Sequence, residues 1–304
     1  GRLGSTRLTT IKGALASGGA YSDPMLQVGL LAILSALAFK IALVPFHAWA
    51  PDVYQGMTSP AVAFLSTAPK AGAVVVAVKV LLALAPAGLG EPWRPLLGLL
   101  AVLSILFGNV VALAQRDLKR MLAYSGIAQM GYVAIGLATF DGYAIEGILV
   151  FLAGYLATNI AAFLAVAALS NGEKGPHPLA DLAGLGRRRP FAATVLTIAM
   201  LSLTGLPPTV GFIGKLLVFR AAIDAGLMSL ALVGVFGSLV SAGYYLRVVY
   251  YLWMKEPNRE VDAPEEDVLS GAAYILVSAA MLVLGVLPRP LLDMARAAVQ
   301  SLPG

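Results

Sequence analysis

Residues 191–219 read "FAATVLTIAMLSLTGLPPTVGFIGKLLVF". A continuous helix of this length would measure roughly 42 Å at 1.5 Å per residue, whereas the hydrocarbon of a bilayer is about 30 Å thick. Gly205, Pro207 and Pro208 lie in the middle of the run. Proline donates no backbone hydrogen bond and its ring clashes with the preceding helical turn. The stretch therefore predicts a membrane-spanning helix that is broken near the middle of the membrane.

The composition of the whole chain agrees with a membrane protein. Of 304 residues, 59% are hydrophobic and 12% are charged, whereas a soluble domain carries about 25% charged residues. The net charge of +5 does not indicate nucleic-acid binding, because the basic residues are scattered over short loops. The absence of cysteine excludes disulfides, thiolate metal sites and iron–sulfur clusters. We expect an all-α polytopic membrane protein with no metal or redox cofactor of its own.

Apolar runs divide the chain into about eight predicted membrane spans. The connections between them are mostly short, as in a bundle of antiparallel helices. The first run is followed directly by Pro45 in "LVPFHAW", which predicts a second, milder helix break. Two broken helices in corresponding places are typical of transporters built from structural repeats. The predicted spans are residues 26–44, 60–85, 96–113, 118–140, 143–169, 191–219, 227–253 and 268–287.

Alternate assignment of the loops to two sides places most basic residues on one side, which the positive-inside rule makes cytoplasmic. The loop 46–59 is then cytoplasmic and Gly304 lies outside, although Arg2, Arg7 and Lys12 on the outer side count against this orientation. The chain opens without an initiator methionine or a signal-peptide pattern, which predicts a fragment whose beginning is missing. The cytoplasmic basic residues are Arg116, Lys119, Arg120, Lys174, Arg187, Arg188, Arg189, Lys255 and Arg259.

Three of the lysines within the predicted spans, Lys40, Lys70 and Lys215, need a reason for their position, because a charge inside the membrane costs roughly 2.5–3.5 kcal/mol. Lys70 is about 15 Å into its span, too deep for its stem to reach either interface. Lys40 is deep if the helix resumes after Pro45 and near the interface if it stops there. Lys215 follows Pro208 by roughly 10 Å of helix, and an interfacial position is its alternative. We interpret all three as functional buried lysines.

Buried lysines can store protons, because burial disfavours the charged form and a nearby opposite charge restores it. Water and polar side chains between them would complete a path. Gln129 lies about mid-span, where either packing or relay fits, and Ser66 lies one helical turn before Lys70. The predicted secondary path consists of His47, Ser66, Lys119, Tyr124 and Gln129.

Five stretches carry a specific resemblance to a known family. They are "FKIALVPFHAWAPDVYQG", "FLSTAPKAGA", "GNVVALAQRDLKRMLAYSGIAQMGY", "FLAGYLATNIAAF" and "LSLTGLPPTVGFIGKLLVF". Together they resemble the subunit N family of bacterial NADH-quinone oxidoreductase (respiratory complex I), to which mitochondrial NADH dehydrogenase subunit 2 belongs. More broadly the chain is similar to the antiporter-like proteins, which include subunits L and M and multisubunit cation/proton antiporters. The resemblance extends from Ser5 to the C terminus.

The resemblance implies a fourteen-helix fold with two inverted five-helix repeats, each with one broken helix. The spans of this chain would be the seventh to the fourteenth helix. The implied division is an extramembrane segment (1–24), the end of the first repeat (25–90), the second repeat (91–254), and a cytoplasmic loop with the final helix (255–304).

The resemblance also implies roles for the lysines. Lys40 would be the central lysine of the first half-channel, Lys70 the bridging lysine, and Lys215 the terminal lysine of the second half-channel. The family's glutamate on the fifth helix, which pairs with the residue at Lys40, falls outside this chain. Gln129 stands where related sequences can have histidine, so it can bridge by hydrogen bonding but cannot hold a proton as imidazolium.

The implied function is proton translocation in the bacterial inner membrane, driven by quinone reduction in other subunits of complex I. NADH, FMN, iron–sulfur clusters and quinone would belong to the complex, and the partners would be the bilayer and other antiporter-like and small membrane subunits. One alternative is a subunit of a multisubunit Na⁺/H⁺ antiporter. Another is a structural scaffold whose lysines bind lipid headgroups or carboxylates of partners.

Overall fold

A computed structural model describes residues 7, 8, 10, 11, 13, 24–84, 90–139, 141–170, 177–257 and 268–301. Within these ranges the regular elements are helices, apart from one isolated bridge between Asp117 and Pro178. The helices are α1 (Pro24–Ile41), α2 (Trp49–Gly56), α3 (Ser59–Leu84), α4 (Gly90–Ala114), α5 (Leu118–Thr139), α6 (Gly142–Leu169), α7 (Leu185–Arg188), α8 (Pro190–Thr204), α9 (Val210–Asp224), α10 (Met228–Trp253), α11 (Val268–Val286) and α12 (Arg289–Gln300), with a 3₁₀ turn at Leu179–Leu182.

The prediction of an all-α polytopic membrane protein is confirmed. Six described helices are long and apolar enough to cross a bilayer, namely α1, α3, α4, α5, α6 and α10. The predicted span 191–219 is two helices of 15 residues each, α8 and α9. The predicted last span corresponds to α11, and α12 follows it at an angle of 76° measured between 274–286 and 289–300. Pro288 and Pro290 interrupt the helix at this bend.

Helix α5 is the centre of the bundle. Within its apolar window 94% of residues are buried, against 22% for α1. It packs against α2, α3, α4, α6, α9 and α10. Polar residues on α5 are therefore inside the protein, whereas α1 lies at the edge of the described bundle.

The break between α8 and α9 has a well-defined backbone geometry. Gly205 is left-handed with φ 86°. Its N–H donates to the Ser202 carbonyl at 3.0 Å, and the Leu206 N–H donates to the Leu201 carbonyl at 3.1 Å. This is the Schellman pattern that ends many helices, and it leaves the last two carbonyls of α8 for other donors.

The break between α1 and α2 has the same pattern with alanine in the left-handed position. Ala42 has φ 60°. Its N–H donates to the Phe39 carbonyl at 3.1 Å, and the Leu43 N–H donates to the Ala38 carbonyl at 2.9 Å. The chain then runs through residues 42–48 before α2 begins, so both breaks are real interruptions of the helix.

Candidate functional site

Lys215 lies on α9 and reaches back across the break to the end of α8. Its Nζ donates to the Leu203 carbonyl at 2.8 Å and to the Thr204 carbonyl at 3.0 Å. The side chain is buried, and Nζ lies 4.6 Å from the centre of the Tyr132 ring. The two carbonyls are the ones that the end of α8 leaves without helical partners. Because the C-terminal end of a helix carries partial negative charge, it stabilises an ammonium group.

Gln129 on α5 meets the same helix end. Its Nε2 donates to the Leu203 carbonyl at 2.9 Å and to the Tyr245 hydroxyl at 3.2 Å. The Tyr245 hydroxyl in turn bonds Ser125 Oγ at 2.5 Å. Gln129 and Lys215 therefore share one main-chain carbonyl as acceptor, and a chain of polar groups extends from there along α5.

A small cavity adjoins this cluster. It leaves about 10 Å³ for the centre of a water molecule, roughly the minimum that one water needs. One wall carries a hydrogen bond of 2.9 Å between Thr158 Oγ1 and Ser202 Oγ. The cavity is lined by Gln129, Phe151, Gly154, Tyr155, Thr158, Ser202, Leu203, Gly211 and Lys215.

Lys70 lies in the interior of α3, which continues through Pro69 without a break. The side chain is buried, with 1% of its surface exposed. Within the described part of the chain Nζ has no hydrogen-bond partner, and it lies 5.8 Å from the centre of the Tyr54 ring. Ser66, predicted on the same face, is buried and donates to a carbonyl of its own helix at 3.2 Å.

Lys70 approaches α5 at Gly126, next to Ser125 and one turn before Gln129. Residues 125–129 form a polar segment of α5, which Lys70 approaches from α3 and Lys215 from α9 through the acceptor that it shares with Gln129. The structure brings these two predicted lysines and Gln129 together. Lys40, in the last turn of α1, is exposed and lies outside this cluster.

The other predicted path residues surround the first break. His47 is half-buried, and its ring packs edge-on against Phe107 with centroids 4.7 Å apart. Tyr124 packs against the same ring at 6.3 Å. Lys119 is fully buried and its Nζ donates to the Met57 carbonyl at 2.8 Å, just beyond the end of α2. These contacts support the backbone around α2.

Sequence reasoning missed several members of the cluster. Tyr155 and Asn159 lie one turn apart on the apolar helix α6, a spacing that could have indicated a shared polar face. Tyr245 and Ser125 gave no comparable signal. The carbonyls of Leu203 and Thr204 belong to the main chain, so in the sequence only the predicted helix break indicated that they would be available as acceptors.

These observations define a polytopic helical membrane protein whose broken helices enclose a buried polar interior, an architecture typical of transporter-type membrane proteins. The chain belongs to the NADH:quinone oxidoreductase/Mrp antiporter transmembrane family, whose sequence pattern matches residues 1–241.

Individual proteins similar to this chain are N subunits of NADH-quinone oxidoreductase. The chain is 43% identical over 298 residues to NADH-quinone oxidoreductase subunit N of Geobacter metallireducens, covering 98% of this chain and 62% of that protein. It is 39% identical over 300 residues to subunit N of Trichlorobacter lovleyi, covering 99% of this chain and 61% of that protein. The chain therefore spans about three-fifths of the length of these relatives.

Solved structures show the same fold. A chain of respiratory complex I from Thermus thermophilus with bound aureothin superposes with a TM-score of 0.75 at 36% identity, covering 94% of this chain and 65% of that one. A chain of the Mrp complex from Dietzia sp. superposes with a TM-score of 0.83 at 23% identity, covering 97% and 64%. The second match is evidence for the fold alone.

Proposed function

We propose that this chain is the counterpart of subunit N and moves protons within the membrane part of NADH-quinone oxidoreductase. The observation that carries the proposal is the shared carbonyl of Leu203, which accepts hydrogen bonds from both Lys215 and Gln129 beside a cavity of water size. A titratable group, a fixed polar bridge and room for water are the parts that a proton path needs.

The two buried lysines differ in a way that suits transfer. Two carbonyls accept hydrogen bonds from a protonated Lys215, whereas Lys70 has no described acceptor. The two carbonyls at the end of α8 therefore stabilise the protonated form of Lys215, and movement of α8 relative to α9 would change this stabilisation. We propose that conformational or electrostatic changes produced by quinone reduction in other subunits act on this contact.

The remaining assignments follow the family. NADH, FMN, iron–sulfur clusters and quinone are proposed to bind elsewhere in the complex, and other antiporter-like and small membrane subunits are the proposed partners. The protein would lie in the bacterial inner membrane, with loop 46–59 cytoplasmic and the C terminus outside. Lys40 is proposed to serve a first half-channel completed by segments of the longer relatives that this chain does not span.

The test replaces each lysine in the assembled complex. Lys70→Met and Lys215→Met should lower proton uptake per NADH oxidised in inverted membrane vesicles, while NADH:ferricyanide activity reports that the complex is assembled. Lys79→Met is the matched control, because Lys79 is an exposed lysine on the same helix as Lys70. Wild-type proton uptake with both buried lysines replaced would overturn the proposal.

A Na⁺/H⁺ antiporter subunit is the second candidate, because the matched family includes Mrp antiporters. Purification of the native complex separates the two. Flavin and iron–sulfur subunits should co-purify with this chain in an oxidoreductase, whereas an antiporter would carry neither and would exchange Na⁺ without NADH.

A further inference from the structure

The face of the Tyr132 ring lies against the ammonium group of Lys215. The Nζ atom lies over the ring, 4.6 Å from its centre, which is well within the distance of about 6 Å at which an aromatic face attracts a cation. Both side chains are buried, with 0% of Tyr132 and 4% of Lys215 exposed. Because water is excluded from both partners, the attraction is at the strong end of the range for such contacts.

The ring takes a place that a carboxylate often fills beside a buried ammonium group. None of the ion pairs between described residues includes Lys215. Two of its three N–H donors go to the carbonyls of Leu203 and Thr204. The face of an aromatic ring carries negative charge density. Tyr132 therefore adds an uncharged stabilising group to the two carbonyls.

Neighbouring groups fix the ring of Tyr132 in this position. It packs edge-on against Phe151 of α6 and Phe219 of α9, with centroids 6.4 Å and 5.9 Å apart. Tyr132 follows Gln129 by three residues on α5, so the two side chains share one face of the helix. Gln129 donates to one of the carbonyls that Lys215 uses. One face of α5 therefore contacts both the ammonium group and its acceptor.

The hydroxyl of Tyr132 lies away from any described acceptor. It is buried and has no hydrogen-bond partner within the described ranges. The side chains of Ser238 and Asn109 are near enough to influence it but are not in hydrogen-bond geometry. A methyl group built on Gly237 would lie 3.1 Å from the hydroxyl, so this end of the side chain packs closely against α10. The part of Tyr132 that contacts Lys215 is the ring.

We propose that Tyr132 is a positioning residue for Lys215, and that the face of its ring holds the ammonium group against the two carbonyls at the end of α8. Its importance for proton transport rests on the proposed function, whereas the placement of the ammonium group does not. Tyr132 itself exchanges no proton. Because the ring has no formal charge, it stabilises the ammonium group less tightly than the charge-assisted pair that a carboxylate would form.

Two substitutions separate the ring from the hydroxyl in the assembled complex. Tyr132→Phe keeps the ring and should take up as many protons per NADH oxidised as the wild type. Tyr132→Leu removes the ring and should lose proton uptake to an extent comparable with Lys215→Met. Phe219→Leu is the matched control, because it removes a neighbouring ring that has no described contact with the ammonium group. An equal loss in Phe219→Leu would mean that packing of the aromatic cluster, and not contact with Lys215, is responsible.

Graded fluorination of the ring tests the attraction while the packing is kept. Phenylalanine with one, two or three ring fluorines at position 132 weakens the negative charge of the ring face step by step and leaves its shape almost unchanged. We expect proton uptake to fall with each added fluorine. Equal uptake along the series, or loss of uptake in Tyr132→Phe itself, would overturn the proposal even if Tyr132→Leu failed to assemble.

A density map of the Tyr132→Leu complex gives a reading that does not depend on proton transport. We expect the Lys215 ammonium group to leave at least one of its two carbonyls, and an unmoved ammonium group would overturn the proposal. The two proposals fail differently. Normal proton uptake in Lys70→Met and Lys215→Met overturns the proposed function, whereas loss in both with normal uptake in Tyr132→Leu overturns the role of Tyr132 alone.

Discussion

The two helix breaks share a backbone design and differ in where their lysine lies. Each break ends its first helix with a left-handed residue, Ala42 or Gly205, and each contains a cis proline bond. At the second break Lys215 lies after the interruption and inserts its ammonium against the open carbonyls of α8. At the first break Lys40 lies before the interruption and is exposed.

The difference follows from what surrounds each break. At the α8–α9 break residues 206–208 are exposed, but the end of α8 and the start of α9 pack against α5, α6, α10 and α11, and Lys215 is buried there. At the α1–α2 break Ala42 and Leu43 are buried and the Val44 N–H donates to Ser104 Oγ at 3.0 Å, whereas Lys119 Nζ bonds the Met57 carbonyl at the far end of α2. At the first break a serine side chain bonds the open backbone, whereas at the second the ammonium of Lys215 itself bonds two main-chain carbonyls. A broken helix becomes a candidate transfer site only when its open end is enclosed together with a titratable side chain.

The largest stability effect is expected at the α8–α9 break. In Gly205→Ala the left-handed backbone would be strained and the new Cβ would lie 2.9 Å from Lys215 Cδ. We expect a loss of about 2–3 kcal/mol, measured as a lower midpoint of thermal unfolding in lipid nanodiscs. Gly226→Ala is the matched control, with φ 75° and nothing within 4 Å, and should cost about 1 kcal/mol. Equal shifts in the two variants would mean that contact with Lys215 does not matter.

A smaller effect is expected from Lys119, which bonds the carbonyl at the far end of α2. Lys119→Met keeps the buried stem but leaves the Met57 carbonyl without its donor. The expected cost is about 1–2 kcal/mol. Hydrogen exchange should accelerate in α2 and remain unchanged in α9. Equal acceleration of hydrogen exchange in α2 and α9 would show that the stability of α9 depends on the Lys119 hydrogen bond as much as that of α2 does.

Ala42→Gly should change stability in the opposite direction. Ala42 has φ 60°, a conformation that glycine adopts without the steric cost of a Cβ. We expect the thermal midpoint to rise by the equivalent of about 1 kcal/mol. A fall in the midpoint would contradict the left-handed geometry at this break.

The smallest effect is expected from the ion pair outside the first break. Arg120 bonds Asp52 at 2.5 Å, but the Asp52 side chain is 75% exposed. Such pairs contribute about 0–1 kcal/mol, so Asp52→Asn should barely move the midpoint at moderate salt. A loss as large as that of Lys119→Met would show that this exposed pair holds α2 as firmly as the buried lysine does.

Much of the fold could be predicted because proline, glycine and lysine are conspicuous in apolar runs. The interruption at Gly205–Pro208 and the depth of Lys70 follow from these residues and helical geometry. The sequence did not indicate α12, because its short, mixed stretch lies beyond the last apolar run. Nor could it show that Lys40 is exposed, since spacing along a helix does not tell which face its neighbours cover. The contacts of Tyr155 and of the Leu203 carbonyl depend on how several helices pack, and main-chain acceptors have no side-chain signature.

The central claim is that Lys70 and Lys215 serve one proton path through the polar segment of α5. The most direct measurement is the number of protons taken up per NADH oxidised by the assembled complex with Lys70→Met, Lys215→Met and both. If the lysines act in series, each single variant lowers this number and the double variant lowers it no further than the more severe single. Wild-type values in both single variants would contradict the account.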